Sequence, residues 1–154
     1  MEYVDTVLWP AVKPSRRLAL WKQLLGVDST SHDLMNQRIA ATKQDLPNQR
    51  VIRVDAERTR AGHPLFKTDE MRARIRRVMT YYVKNRSVVY KQGLNELLPP
   101  FVLAAAAGLA DRAGWEGGAE DVESAGTGTV DAEAVERVAP DAVVYQMLER
   151  TVAK

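Results

Sequence analysis

The strongest constraint on the fold is a long run of apolar residues at helical spacing, preceded by a good capping residue. Thr68 is a favourable N-cap, and the two acidic residues after it suit the positive end of a helix dipole. Apolar residues then recur every three or four positions, which is the spacing of one helix face. They are Met71, Ile75, Val78, Met79 and Tyr82. The pattern predicts an amphipathic helix from Thr68 to about Lys84, with its apolar face in a core.

Four arginines in this segment lie outside the apolar stripe: Arg72, Arg74, Arg76 and Arg77. Such a group is usually a solvated helix face. Two further uses stay open, namely contact with an acidic protein surface and binding of nucleic acid. The second use is the less favoured one, and we expect no nucleic-acid partner.

The flanking segments also have helical patterns. Ser15 is a suitable N-cap for a helix over residues 16–25, and Gly26 is a suitable stop. A second helix is predicted over residues 32–44. Near the end of the sequence, another helix is predicted to begin at Asp141, with its apolar residues on one side. The sequence therefore predicts an all-α, multi-helical fold.

Residues 51–60 are ambiguous between a short strand and a helix. The apolar residues at the start favour a strand, whereas Ile52, Asp55 and Arg58 are spaced three apart and would stack along a helix. In a helix, Asp55 and Arg58 can form an ion pair. The ordinary interpretation is a surface salt bridge worth less than about 1 kcal/mol. The functional interpretation is that Asp55 holds a guanidinium directed at a phosphate on a partner.

A second polar group consists of Tyr90, Lys91, Gln92 and Gly93, followed by Asn95. A glutamine can accept a hydrogen bond from water and donate one to an oxygen at the same time, which is what orienting an attacking water requires. The glycine permits close approach of a partner. Taken alone, the group is more often a turn or the start of a helix.

Composition excludes several classes of site. The chain has no cysteine, which rules out a disulfide framework, a thiolate metal site and a cysteine nucleophile. Two histidines are too few for a histidine-built metal centre, and no G-x-S-x-G motif is present. The apolar run over residues 97–110 is shorter than a membrane span. The first residues lack the apolar stretch of a signal peptide, so we expect a cytoplasmic protein.

The net charge of +2 conceals an asymmetry. Residues 1–107 carry +8 and residues 108–154 carry −6. The basic part favours an anionic partner, such as a nucleotide, a phosphate-rich surface or an acidic protein face. Residues 111–130 are rich in glycine and acidic residues, which is typical of a flexible insertion, and order is expected to resume near Asp131.

In order and spacing, these segments resemble the TBC domain of Rab GTPase-activating proteins. The R-x-x-x-W-x-x-L-L-G opening corresponds to residues 17–26, the I-x-x-D-x-x-R motif to residues 52–58 and the Y-x-Q-G motif to residues 90–93. The resemblance covers residues 15–107 best. The segment from Asp141 resembles a helix that follows a variable insertion in this family.

The resemblance implies a dual-finger mechanism. In TBC proteins, the motif arginine enters the nucleotide site of the Rab, and the motif glutamine orients the hydrolytic water. Arg58 and Gln92 occupy these positions. Asp55 is then expected to orient Arg58, while Tyr90 and Gly93 are expected to shape the turn that presents Gln92.

Two more motif positions are implied to have supporting roles. Ile52 is the apolar residue of the I-x-x-D-x-x-R motif, and Asn95 is expected to bond backbone rather than nucleotide. The implied partner is a Rab-family GTPase, which brings its own GTP and Mg²⁺, so no cofactor of the chain itself is expected. The protein would activate a GTPase rather than turn over a substrate of its own.

The resemblance also implies a location and a domain boundary. The protein is expected to be peripheral to endosomal or other endomembranes, and to reach them only through partners. The Y-K-Q-G-x-x-E-L-L form is similar to the branch that associates with retromer. A complete TBC domain has two helical lobes and is longer, so residues 1–154 are expected to be a partial domain lacking most of the second lobe. The alternative is a non-catalytic module that binds a Rab or a trafficking coat.

Overall fold

The computed structural model describes residues 12–27, 32–112 and 131–153, and these residues form an all-α fold. Within these ranges there is no β-strand, so the ambiguous region 51–60 is helical over most of its length. None of the described helices is long and apolar enough to cross a bilayer. The α-helices are α1 (Pro14–Leu25), α2 (Asp33–Ala41), α3 (Gln49–Arg58), α4 (Asp69–Arg86), α5 (Pro99–Arg112), α6 (Ala132–Val138) and α7 (Asp141–Val152). Short 3₁₀-helices span Pro64–Lys67 and Leu94–Leu97.

Helix α4 lies at the centre of the fold and confirms the predicted pattern. Thr68 caps it, with its Oγ1 accepting a hydrogen bond from the Met71 amide at 3.2 Å. The helix ends at Arg86, and the capping residue Ser87 adopts a left-handed conformation with φ of 51°. The whole predicted apolar stripe is buried. Through it, α4 packs against α2, α3, α6 and α7.

Helices α1 and α5 pack side by side, and one predicted boundary of α1 is wrong. The helix begins at Pro14, so Ser15 is not its N-cap. The fixed φ of proline and its lack of an amide hydrogen suit the first helical position, which accounts for the earlier start. The predicted stop is confirmed, since Gly26 has a φ of 66°. The rings of Trp21 on α1 and Phe101 on α5 pack edge to face, with their centroids 5.5 Å apart.

Helix α2 ends at Ala41, three residues before the predicted end. Thr42 already has extended backbone angles, and its Oγ1 donates to the Arg38 carbonyl oxygen at 2.7 Å. This side-chain bond satisfies one of the carbonyls left open at the helix end, so the helix stops there.

The prolines at positions 99 and 100 stand at the start of a new helix. Pro99 is the first residue of α5, where its missing amide hydrogen costs nothing. The helix continues to Arg112 and therefore includes the first two positions of the predicted insertion. The remainder of that insertion, residues 113–130, lies outside the described residues.

The largest difference from the sequence-based prediction concerns the arginines of α4. Arg74 is only 2% exposed, and its Nε donates to Asp141 Oδ1 at 2.8 Å. Its Nη2 also donates to the carbonyl oxygen of Ala139. Arg77 donates to the other carboxylate oxygen of Asp141 and, at 2.8 Å, to Glu136. The prediction of a solvated face is therefore wrong for Arg74 and Arg77.

These ion pairs attach the last two helices to α4. Burial lowers the pKa of Arg74, and the charge and hydrogen bond of Asp141 oppose that shift. An arginine stays charged at neutral pH even so, and a buried charge without a partner is strongly unfavourable. The pair therefore fixes the start of α7 against α4, which places Tyr145 and Leu148 in the core.

We predict that Asp141→Asn destabilises the protein by about 3–5 kcal/mol, because it leaves Arg74 buried without its counter-ion. The measurement is the free energy of unfolding from urea denaturation. The matched control is Glu133→Gln, which removes the exposed pair with Arg137 at 3.3 Å and should cost less than about 1 kcal/mol. Equal losses in the two variants would contradict a special role for the buried pair.

Candidate functional site

Helix α3 has one buried face, and this face decides which of its candidate functional residues are exposed. Ile52 and Ala56 are fully buried, and Asp55 is only 5% exposed. Thr59, the residue that ends the helix, is also buried. Arg58 lies outside this face and is exposed at the last position of α3.

A hydrogen-bond network joins the end of α3 to the segment that contains the Y-x-Q-G motif. The Tyr90 hydroxyl donates to Asp55 Oδ2 at 2.9 Å and lies 3.3 Å from Asn95 Oδ1. Asn95 Nδ2 donates to Thr59 Oγ1 at 2.8 Å and lies 3.4 Å from the Asp55 carbonyl oxygen. All four residues are buried, so these bonds form in a region of low dielectric, where they are strong.

The network brings together the two segments that carry the predicted fingers. Arg58 lies in the chain between Asp55 and Thr59, which are both members of the network. Gln92 lies between Tyr90 and Asn95, which are the two other members. Each predicted finger residue is exposed, while the network members that precede and follow it in the chain are buried.

The turn that carries Gln92 depends on a glycine. Gly93 has a φ of 94°, in the left-handed region that a side chain disfavours. It is followed at once by the 3₁₀-helix Leu94–Leu97, whose first amide donates to the carbonyl oxygen of Lys91 at 3.2 Å. The chain therefore reverses tightly after Gln92, and the glutamine lies at an exposed bend.

The relation between Asp55 and Arg58 differs from the ion pair that their spacing in the sequence suggests. Among the described residues, no ion pair joins Asp55 to Arg58. The Asp55 carboxylate is bonded to Tyr90 on the core side, whereas Arg58 is exposed. The Asp55 carboxylate is therefore attached to the segment that follows α4, and the structure shows no direct bond from it to the Arg58 side chain.

Tyr90 is a permanent hydrogen-bond donor in this network. Burial raises the pKa of its hydroxyl, and the hydrogen bond to Asp55 and the negative charge of that residue raise it further. The hydroxyl therefore keeps its proton throughout the physiological pH range. The hydrogen bond that it donates offsets part of the free-energy cost of burying the Asp55 carboxylate.

A protein-family model matches the part of the chain that contains the hydrogen-bond network. The model of the Rab-GTPase-TBC domain matches residues 14–108, which include α1–α4, most of α5 and the whole network. The chain belongs to this family. No curated protein and no solved structure matched the chain.

Within this TBC domain, sequence reasoning missed Thr59 as a member of the site. The available signal was its position, since a threonine four residues after Asp55 can return its hydroxyl to that residue's carbonyl. The structure shows this bond at 2.7 Å. The bond from Asn95 to the same hydroxyl joins residues 36 positions apart, and no local pattern predicts it.

We predict that Tyr90→Phe destabilises the protein by about 1–3 kcal/mol, because it leaves the buried Asp55 carboxylate short of a donor. Urea denaturation measures the loss. Tyr81→Phe is the control, since the Tyr81 ring packs on Tyr145 at 4.9 Å but its hydroxyl has no hydrogen bond to a described residue. A double-mutant cycle with Asp55→Asn should give a coupling of about 0.5–3 kcal/mol. Additive losses would show that the two side chains do not interact.

Proposed function

We propose that the protein is a GTPase-activating protein for a Rab-family GTPase, acting through Arg58 and Gln92. The observation that carries the proposal is the buried network that joins the two segments bearing these residues. Tyr90 is bonded to Asp55 at 2.9 Å and Asn95 to Thr59 at 2.8 Å, and each finger residue is exposed between two of these anchors.

Arg58 suits the role of a finger directed at phosphate. Transfer of a phosphoryl group to water places negative charge on the phosphate oxygens, and a planar guanidinium that is always charged stabilises it. An arginine finger supplied in this way typically contributes about 10³–10⁵ in rate. Lysine is a poor substitute, because it lacks the two parallel donors of the guanidinium.

Gln92 suits the role of positioning the attacking water. Its amide accepts a hydrogen bond from water through oxygen and donates one to a phosphate oxygen through nitrogen. The tight bend at Gly93 fixes the glutamine backbone. The GTP and Mg²⁺ belong to the partner GTPase, so the chain itself contributes only protein side chains.

The partner and the location follow from the same proposal. A Rab is the partner that the family relationship favours. We further propose that the protein is cytoplasmic and reaches endosomal or other endomembranes through that Rab, or through retromer or another trafficking coat.

The test is a single-turnover assay of GTP hydrolysis with the full chain and a panel of GTP-loaded Rabs. Arg58→Ala should lower the stimulated rate by about 10³–10⁵. Gln92→Ala, which removes one positioning group, should lower it by about 10²–10³. The control for Arg58 is Arg53→Ala on the same helix, and the control for Gln92 is Lys91→Ala in the same turn. Each removes an exposed positive charge.

Two outcomes would contradict the dual-finger mechanism. One is acceleration that persists unchanged in both Arg58→Ala and Gln92→Ala. The other is tight Rab binding with no gain in rate at saturating protein, which would identify a non-catalytic binding module instead.

A further inference from the structure

Thr59 makes two hydrogen bonds through one hydroxyl. It is fully buried and ends α3 directly after Arg58. Its Oγ1 donates to the Asp55 carbonyl oxygen at 2.7 Å and accepts from Asn95 Nδ2 at 2.8 Å. The backbone amide of Thr59 donates to the same carbonyl at 2.9 Å. The side chain is thus fixed to its own helix on one side and to the 90–95 turn on the other.

The bond to Asn95 has a consequence for the turn. Tyr90 holds the start of the turn through Asp55, and Asn95 holds its end through Thr59. Without the Thr59 hydroxyl, Asn95 Nδ2 is left with two contacts of 3.4 Å, to the Asp55 carbonyl and to Glu96 Oε1. These are too long to be strong hydrogen bonds. The end of the turn would therefore lose its best attachment to α3.

We infer that Thr59 is a positioning residue that sets the placement of Gln92 relative to Arg58. The inference rests on the proposed function for its catalytic meaning, because it concerns the two proposed fingers. Thr59 is adjacent to Arg58, and its bonding partner Asn95 is three residues after Gln92. A displacement of about 1 Å of a catalytic group can cost about 10² in rate.

The first arm of the test needs no GTPase. Amide hydrogen exchange is measured for Leu94, Glu96 and Leu98, whose amides bond within this segment. In Thr59→Val these amides should exchange about tenfold faster, because the shape is kept and the hydroxyl is lost. Thr59→Ser keeps the hydroxyl and should restore slow exchange.

The matched control is Thr80→Val. Thr80 is also fully buried, its Oγ1 donates to the carbonyl oxygen of Arg76 at 2.7 Å, and it accepts from Gln49 Nε2 at 2.9 Å. Thr80→Val therefore removes a buried hydroxyl with the same two bonds, but from α4 and not beside the 90–95 turn. Exchange at positions 94–98 that rises equally in Thr59→Val and Thr80→Val, or in neither, would overturn the inference.

The second arm measures kcat and KM of the stimulated GTPase reaction. Thr59→Val should lower kcat by about 10² with little change in KM, Thr59→Ser should restore kcat, and Thr80→Val should leave it unchanged. A faster-exchanging turn with an unaltered kcat would overturn the role of Thr59 in positioning the proposed fingers. A wild-type chain without any stimulation would refute the proposed function, while the exchange data would still decide whether Thr59 holds the turn.

A second variant removes the Thr59–Asn95 hydrogen bond if Thr59→Val does not fold. If Thr59→Val is unfolded, Asn95→Ala removes the same hydrogen bond from the other side and is measured in the same way. Exchange at positions 94–98 that stays at the wild-type rate in folded Asn95→Ala would overturn the inference.

Discussion

A buried guanidinium on the central helix determines how the last two helices join the rest of the fold. Arg74 cannot lose its charge at neutral pH, so its burial requires an anion and further acceptors. Asp141 supplies the anion from the first residue of α7, where a negative charge is also favoured by the helix dipole. The Ala139 carbonyl supplies a second acceptor from the junction with α6. Because Arg77 bonds to the other oxygen of the same carboxylate, rotation of Asp141 would break two ion pairs at once. The pairing thus favours one docking geometry of α7 on α4.

The same requirement, that a buried charged group must have hydrogen-bonding partners, also applies in the candidate site. The Asp55 carboxylate is buried on α3, and the Tyr90 hydroxyl comes to it from a segment 35 residues away. The carbonyl of Asp55 accepts further bonds from the hydroxyl and the backbone amide of Thr59. One residue therefore collects hydrogen bonds from both segments of the site through its side chain and its backbone. Such support suits the proposed finger residues, because preorganised catalysis needs supporting bonds that do not rearrange during the reaction.

The sequence predicted the features that depend on near neighbours. The apolar stripe after Thr68, its capping role and the stop at Gly26 all follow from local geometry, and the structure confirms them. Ser15 was a wrong N-cap for a reason that is also local, namely the adjacent proline at position 14. Arg74 could not be assigned in this way, because the aspartate that accounts for its burial is 67 positions away. Thr59 is a similar case. Local spacing predicts its bond to the Asp55 carbonyl, one helical turn earlier, but not its bond to Asn95. What the sequence could not show was which polar residues meet across the core.

The charge asymmetry of the chain has in part an internal explanation. Three ion-paired arginines of the basic part bond to acidic residues of the later part, in the pairs Arg74–Asp141, Arg77–Glu136 and Arg86–Glu149. Cations that have no such pair are therefore the ones that favour an anionic partner. Within the described ranges, Arg58 forms no ion pair, and it is exposed beside the network. An arginine already paired with Asp55 would have to give up that bond to reach a phosphate, at a cost subtracted from the rate gain. By holding the backbone of Arg58 and leaving its charge unpaired, the fold avoids that cost, which makes Arg58 better suited to the proposed finger role than the salt bridge expected from its sequence spacing.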